Sequence, residues 1–243
     1  MKTLIIIQAR MTSTRLPGKV LKQVLGKSLL EFQLERLKAV LNADDLVVAT
    51  TTNATDQPIV DLCQTIQVPV YRGSETDVLA RYYEAAATNQ ADIVVRVTSD
   101  CPLIDPDIVA EVIGFYQTRQ DQYDYVSNTL DRTYPRGLDV EVFSLNALEQ
   151  AYREATQADE REHVTPYIYR HPEQFKIDQI KQAEDHANER WTVDTPEDFE
   201  LIKRILEALY STKPNFRQAD VLALLDTHPD WRTLNADIPQ KAV

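Results

Sequence analysis

The sequence predicts an α/β protein of Rossmann-like type, with a mostly parallel central sheet flanked by helices. Three observations carry this expectation. Short apolar runs alternate with longer amphipathic segments along the first half of the chain. The segments between those runs open with helix-start signatures. The composition of the 243 residues is that of an ordinary globular chain, 43% hydrophobic and 26% charged. A disordered chain is thereby excluded, and no apolar run approaches the roughly 20 residues needed to span a bilayer.

Taken in order, residues 4–7 are an apolar run, Leu-Ile-Ile-Ile, that reads as a buried strand and is too short for a signal-peptide core. Ser28-Leu29-Leu30-Glu31 is a capping-box pattern that opens a helix to about Val40. Residues 46–50 read as a strand, and Asp56 and Pro58 start a helix toward Ile66. Residues 68–71 are a short strand. A helix from Glu75 to about Asn89 places Val78, Leu79, Tyr82 and Tyr83 at helical spacing. Residues 93–97 are another strand, and a helix follows over residues 106–116, with Asp105 as N-cap directly before Pro106.

The second half is less regular. Residues 125–127 and 140–143 read as strands, helices are expected from Ser144 and from Asp159, and residues 175–180 as a strand. Thr195-Pro196-Glu197-Asp198 opens a helix to about Tyr210, with Pro at its first position. One more helix is expected over residues 219–225. The expectation is one domain over residues 1–243, with a helical C-terminal extension from about residue 212. Cys63 and Cys101 offer neither a disulfide framework nor a metal-ligand spacing, so the chain reads as cytoplasmic.

Charge is unevenly distributed. The net charge of −12 argues against nucleic-acid binding, which needs a basic face. Yet the first 30 residues hold six basic residues and no acidic one, so a basic island sits in an acidic protein. Its centre is the loop Gln8-Ala9-Arg10-Met11-Thr12-Ser13-Thr14-Arg15-Leu16-Pro17-Gly18-Lys19, at the carboxyl end of the first strand, where α/β sheets bind ligands. Two guanidinium forks, an ammonium, hydroxyls and a run of backbone N–H groups suit a polyphosphate. No G-x-G-x-x-G occurs, and Gly26-Lys27-Ser28 lacks the first glycine of a P-loop because position 21 is Leu. Asp100 again follows a strand end and can hold a hard cation through oxygen. Asp194 can supply a second carboxylate if Thr195 takes the capping role. The lone His163 reads as structural.

The loop from Ala9 to Lys19 resembles the signature of the sugar-acid cytidylyltransferases, the CMP-KDO and CMP-acylneuraminate synthetases, and most of all the cytidylyltransferase-like proteins of spore-coat polysaccharide biosynthesis. Arg72-Gly73-Ser74-Glu75-Thr76-Asp77-Val78-Leu79 is similar to the segment these enzymes place near the nucleoside. Ser99-Asp100-Cys101-Pro102-Leu103-Ile104 resembles their Asp-x-Pro-Leu-Ile element. The stretches at 134–143 and 161–167 look like the spore-coat subgroup, and Val193-Asp194-Thr195-Pro196-Glu197-Asp198 like the late metal-binding element. The resemblance implies a nucleotide-diphospho-sugar-transferase fold of GT-A-like form, CTP as substrate, Mg²⁺ as cofactor and a homodimer.

The expected activity is transfer of CMP from CTP to a sugar or 2-keto sugar acid, with pyrophosphate released. Arg10, Arg15, Lys19 and Asp100 are expected to act in catalysis. Gln8, Ala9, Ser13, Gly73, Ser74 and Asp77, together with Arg10, Arg15 and Lys19, are expected to bind the nucleotide. Asp100 and Asp194 are expected to hold the metal, and Tyr134, Arg136, Asp139 and Glu141 the acceptor, Arg136 through a carboxylate if the acceptor is an acid. A GT-A-type glycosyltransferase and a non-catalytic nucleotide-binding protein are the alternatives.

Overall fold

In the computed structural model, which describes residues 1–239, a seven-stranded sheet divides two helical layers. The elements are β1 (Thr3–Gln8), a hairpin of β2 (Gln23–Val24) and β3 (Lys27–Ser28), α1 (Leu29–Leu37), β4 (Asp45–Thr51), α2 (Gln57–Thr65), β5 (Val70–Gly73), α3 (Val78–Thr88), β6 (Ile93–Thr98) and α4 (Pro106–Gln117). There follow β7 (Tyr125–Ser127), β8 (Glu141–Ser144), α5 (Leu145–Glu154), α6 (Ala158–His163), α7 (Pro166–Arg170), β9 (Ile177–Gln179), α8 (Pro196–Leu209) and α9 (Gln218–Thr227). The sheet order is β5-β4-β1-β6-β8-β7-β9. The first four strands in that order are mutually parallel, β8 runs antiparallel to β6 and to β7, and β9 is parallel to β7. This is the mixed but mostly parallel α/β architecture that the alternating pattern predicts.

Strand periodicity builds the core. Ile5 and Ile7 of β1 face one layer, with buried residues of α1, α2, α4, α8 and α9. Leu4 and Ile6 face the other, with α3, α5 and α7. β1 pairs on both edges, Ile6 opposite Val47 on one side and Arg96 on the other. A strand so enclosed must be apolar on both faces, which explains its unbroken Leu-Ile-Ile-Ile run.

Local chemistry sets the element ends. Ser28 caps α1 in a complete capping box with Glu31. Asp105 caps α4 by accepting the Asp107 N–H at 3.0 Å. The strand expected at 68–71 starts instead at Val70, because Pro69 has no N–H to pair and serves only as acceptor to Val48. The helix expected from Glu75 begins at Val78, since Ser74 holds a turn and Asp77 is the N-cap. β8 begins at Glu141, so Asp139 precedes the strand and does not share its face. The β2–β3 hairpin and α7 lie outside the elements that the sequence pattern predicts. In the hairpin turn both Leu25 and Gly26 have positive φ, a conformation leucine rarely takes.

Candidate functional site

The parallel strands β1 and β6 end side by side, and the loops that leave their carboxyl ends enclose a cavity of about 340 Å³. One wall is the loop after β1. Gly18 lets that loop close: its φ of 67° is open to glycine, and its N–H donates to Met11 O at 2.9 Å. The loop is also tied to the end of β4. The fully buried Asp56 accepts the Met11 N–H at 2.7 Å and hydroxyls from Thr50 and Thr51. Gln8, Ala9, Arg10, Ser13, Arg15 and Lys19 all line the cavity from this wall.

The opposite wall comes from two distant segments. Asp100 follows β6, and Thr98 Oγ1 donates to its Oδ1 at 2.5 Å. The Val193 N–H donates to Asp100 O at 2.8 Å, which brings the segment before α8 alongside. In that segment Trp191 and Val193 are fully buried while Thr192 and Asp194 line the cavity, the alternation of an extended chain. Thr195 caps α8 in a box with Asp198, which leaves Asp194 free for the cavity.

Lys19 joins the walls. Its Nζ lies 2.8 Å from Asp194 Oδ1 and 3.5 Å from Asp100 Oδ2. Arg15 reaches Asp194 Oδ2 at 2.8 Å, and Arg190 reaches the same oxygen at 3.1 Å. Burial alone would depress the Lys19 ammonium, but Asp100 and Asp194 overcome it and raise its pKa. For Asp100 burial works upward, yet Lys19 and the Thr98 hydroxyl hold the carboxyl below its ordinary range. Asp100 and Asp194 both lie within reach of one cation, the Lys19 ammonium.

Other expected residues lie elsewhere. Asp77 is spent as the cap of α3 and on an ion pair with Arg161, and Ser74 accepts the Asp77 N–H, so neither they nor Gly73 line the cavity. Glu141 is buried below the floor, where Arg96, Tyr125 and Thr165 hydrogen-bond its carboxylate. Tyr134 is buried in the core. Arg136 lines a second cavity with Arg190 and Arg232. Asp139 alone of the expected acceptor residues lines the first cavity, held by a two-pronged contact from Arg132, with Nη2 at 2.8 Å from Oδ2. Sequence reasoning missed Arg81, Arg96, Glu162 and Thr192 as lining residues, and His163, read as structural, also lines the cavity. Burial lowers the His163 pKa; Glu162 opposes and Arg96 adds to the effect.

Two carboxylates fit a magnesium ion, which takes one or two from protein and completes its shell with phosphate and water. Among the described residues no cluster of three or more His, Cys, Asp or Glu could hold a metal by itself.

Comparison with known proteins agrees with this geometry. The sequence profile described as "Cytidylyltransferase" matches residues 4–222. An uncharacterised protein of Methanocaldococcus jannaschii is 38% identical, over 100% of this chain and 98% of its own length. The spore coat polysaccharide biosynthesis protein SpsF of Bacillus subtilis is 32% identical, over 95% of this chain and 96% of its own length. The structure of a cytidylyltransferase from Leptospira borgpetersenii superposes with a TM-score of 0.91 at 34% identity, covering 100% of both chains. A basic loop facing two carboxylates at the carboxyl edge of a mostly parallel sheet, and a family match over most of the sequence, place this chain in the cytidylyltransferase family.

Proposed function

We propose that this protein transfers CMP from CTP to the hydroxyl of a sugar or 2-keto sugar acid, releasing pyrophosphate, in the making of a surface-polysaccharide precursor. The observation that carries the reading is the cavity in which Arg10, Arg15 and Lys19 face Asp100 and Asp194. The triphosphate lies along the loop after β1, where guanidinium forks and the Lys19 ammonium take its oxygens. Asp100 and Asp194 would hold Mg²⁺, which when bound neutralises phosphate charge. The acceptor hydroxyl attacks the α-phosphorus in line and gives up its proton to solvent, while the bond from that phosphorus to the bridging oxygen of the β-phosphate breaks and pyrophosphate leaves. Arg15 and Lys19 stabilise the charge that develops on the phosphates. Burial raises the thiols of both Cys63 and Cys101, and the Asp100 carboxylate raises that of Cys101 further, which keeps either from serving as a thiolate nucleophile.

The acceptor lies at the other end of the cavity, near Asp139, Glu162 and His163. Relative to the sequence expectation, Arg136 drops out of this reading. The family resemblance suggests a homodimer, which light scattering reports, and the cysteine usage a cytoplasmic enzyme. Pyrophosphate release, measured with each of the four NTPs against a panel of sugar acids, tests the reaction. Turnover with CTP and a 2-keto sugar acid supports it. No pyrophosphate from any pair, in protein shown to be folded, refutes it. Release of a nucleoside diphosphate from a nucleotide sugar would indicate a glycosyltransferase instead.

A further inference from the structure

Six buried side-chain atoms among the described residues have no hydrogen-bond partner, and three of them belong to residues that line one cavity: Arg81 Nε, Arg96 Nε and Thr192 Oγ1. Unmet hydrogen-bonding capacity of this kind is costly and is kept where something else uses it. Thr192 is the most telling of the three. It sits two residues before Asp194 on the same side of an extended segment. Its backbone lies against Gly137, whose φ of 104° and lack of a side chain permit the approach; a Cβ there would come within 3.1 Å of Thr192 N. That contact sets Thr192 beside the 137–139 segment, which carries Asp139 into the same cavity.

We propose that Thr192 is a specificity-determining residue for the acceptor, donating its hydroxyl to an acceptor oxygen between Asp139 and the Asp100–Asp194 pair. The inference rests on the cytidylyltransferase reading and deepens it. Without ligand, the hydroxyl is turned away from solvent and satisfied by nothing. A rotation of about 120° about Cα–Cβ exchanges the hydroxyl and the methyl of a threonine, so an acceptor can draw the hydroxyl out. The apo rotamer leaves a polar atom stranded, and binding relieves it.

The test uses Thr192→Val, which keeps shape and removes the hydroxyl, and Thr192→Ser, which keeps the hydroxyl. Melting temperature is read without ligand, and KM is read for CTP and for the 2-keto sugar acid that supports turnover, starting with 3-deoxy-manno-octulosonate. Thr192→Val should melt at least as high as the parent, by up to about 2–4 °C higher, because a stranded hydroxyl is gone. Its acceptor KM should rise about 3- to 10-fold while the CTP KM stays within about twofold. Thr192→Ser should recover most of the acceptor KM. A lower melting temperature in Thr192→Val, or an unchanged acceptor KM, or a shift confined to CTP, would overturn the proposal. Absence of turnover in the parent with every acceptor would take the underlying reading down with it, and is told apart because no variant is then involved.

Discussion

Lys19 is the residue on which the site turns, since among the described residues its ammonium alone forms ion pairs with both Asp100 and Asp194. Lys19→Met would leave two anionic groups facing each other across the cavity. Breaking a buried pair costs about 3–5 kcal/mol, but Asp194 keeps Arg15 and Arg190, so about 1–2 kcal/mol is expected here, a few degrees of melting temperature. In EDTA the variant should melt below the parent, and millimolar Mg²⁺ should return more stability to the variant than to the parent. CTP affinity should fall roughly 10- to 150-fold, the worth of one charge-assisted bond. Equal melting in EDTA together with unaltered CTP binding would remove Lys19 from the site. Asp100→Asn and Asp194→Asn should each cut turnover strongly, with the double variant little worse, because groups acting on one ion are not additive. EDTA should stop pyrophosphate release and Mg²⁺ restore it; full activity in EDTA would end the metal assignment. His163 gives a pH signature. Its folded pKa lies below its ordinary value, so the unfolded chain binds its proton first on acidification. Its contribution is fully present above the ordinary value near 6.5 and is lost as pH falls toward the folded value. The slope of melting temperature against pH below about 6.5 should therefore flatten in His163→Gln, and an identical slope would mean that the imidazole titrates as in water.

At the scale of elements, the site depends on backbones meeting closely, and Gly137 marks the tightest approach. A Cβ there would stand 2.7 Å from both Trp191 C and O, atoms of a main chain that is itself bonded to Arg136. Gly137→Ala should therefore cost more than the usual positive-φ strain of about 1 kcal/mol, and should displace Asp139 and Thr192 together. Chemical denaturation checks the first and acceptor KM the second; a variant as stable and active as the parent would show that the 137–139 segment yields freely. Such contacts mark the limit of what the sequence makes legible. The strands over residues 4–7, 46–50 and 93–97 could be read because burial on both faces leaves continuous apolar runs, and the caps at Ser28, Asp105 and Thr195 because capping is local chemistry. That loop residues 8–19, Asp100 and Asp194 come together at one cavity was legible because they fall at strand ends and a helix start. The wall near Asp139 was not. Tyr134, Arg136 and Glu141 share a sequence stretch with Asp139, but the chain twists through Gly137 and sends each to a different environment. Thr192, Arg81 and Arg96 join the cavity only through long-range packing, which no local pattern records. The sole signal for Thr192 was its alternation with Asp194.

For the whole molecule, the open question is whether the chain beyond residue 212 belongs to the same cooperative unit as the sheet. We propose that it does. Phe216, Val221 and Leu225 are almost wholly buried in the same apolar cluster as β1 and β6. Arg36, on α1, ties the two parts together: its Nε donates to Ile104 O at 2.6 Å and its Nη2 to Phe216 O at 2.8 Å, with the guanidinium 4.2 Å from the centre of the Phe216 ring. Burial pushes the Arg36 pKa down to about 10, so this cation depends on its carbonyl partners. Ending the chain after Thr212 would expose the apolar surface that those three side chains cover and leave Arg36 with half its bonds. At about 1.5–3 kcal/mol for each large apolar side chain, the loss is about 5–9 kcal/mol, comparable with the entire stability of an ordinary domain. Calorimetry of the full chain should then show one transition, and the shortened chain should lose its cooperative melt, bind a hydrophobic dye and fail to bind CTP. A shortened chain that melts within a few degrees of the parent and retains CTP affinity would make the segment an appendage, and the buried faces of Phe216, Val221 and Leu225 would be dispensable cover rather than core.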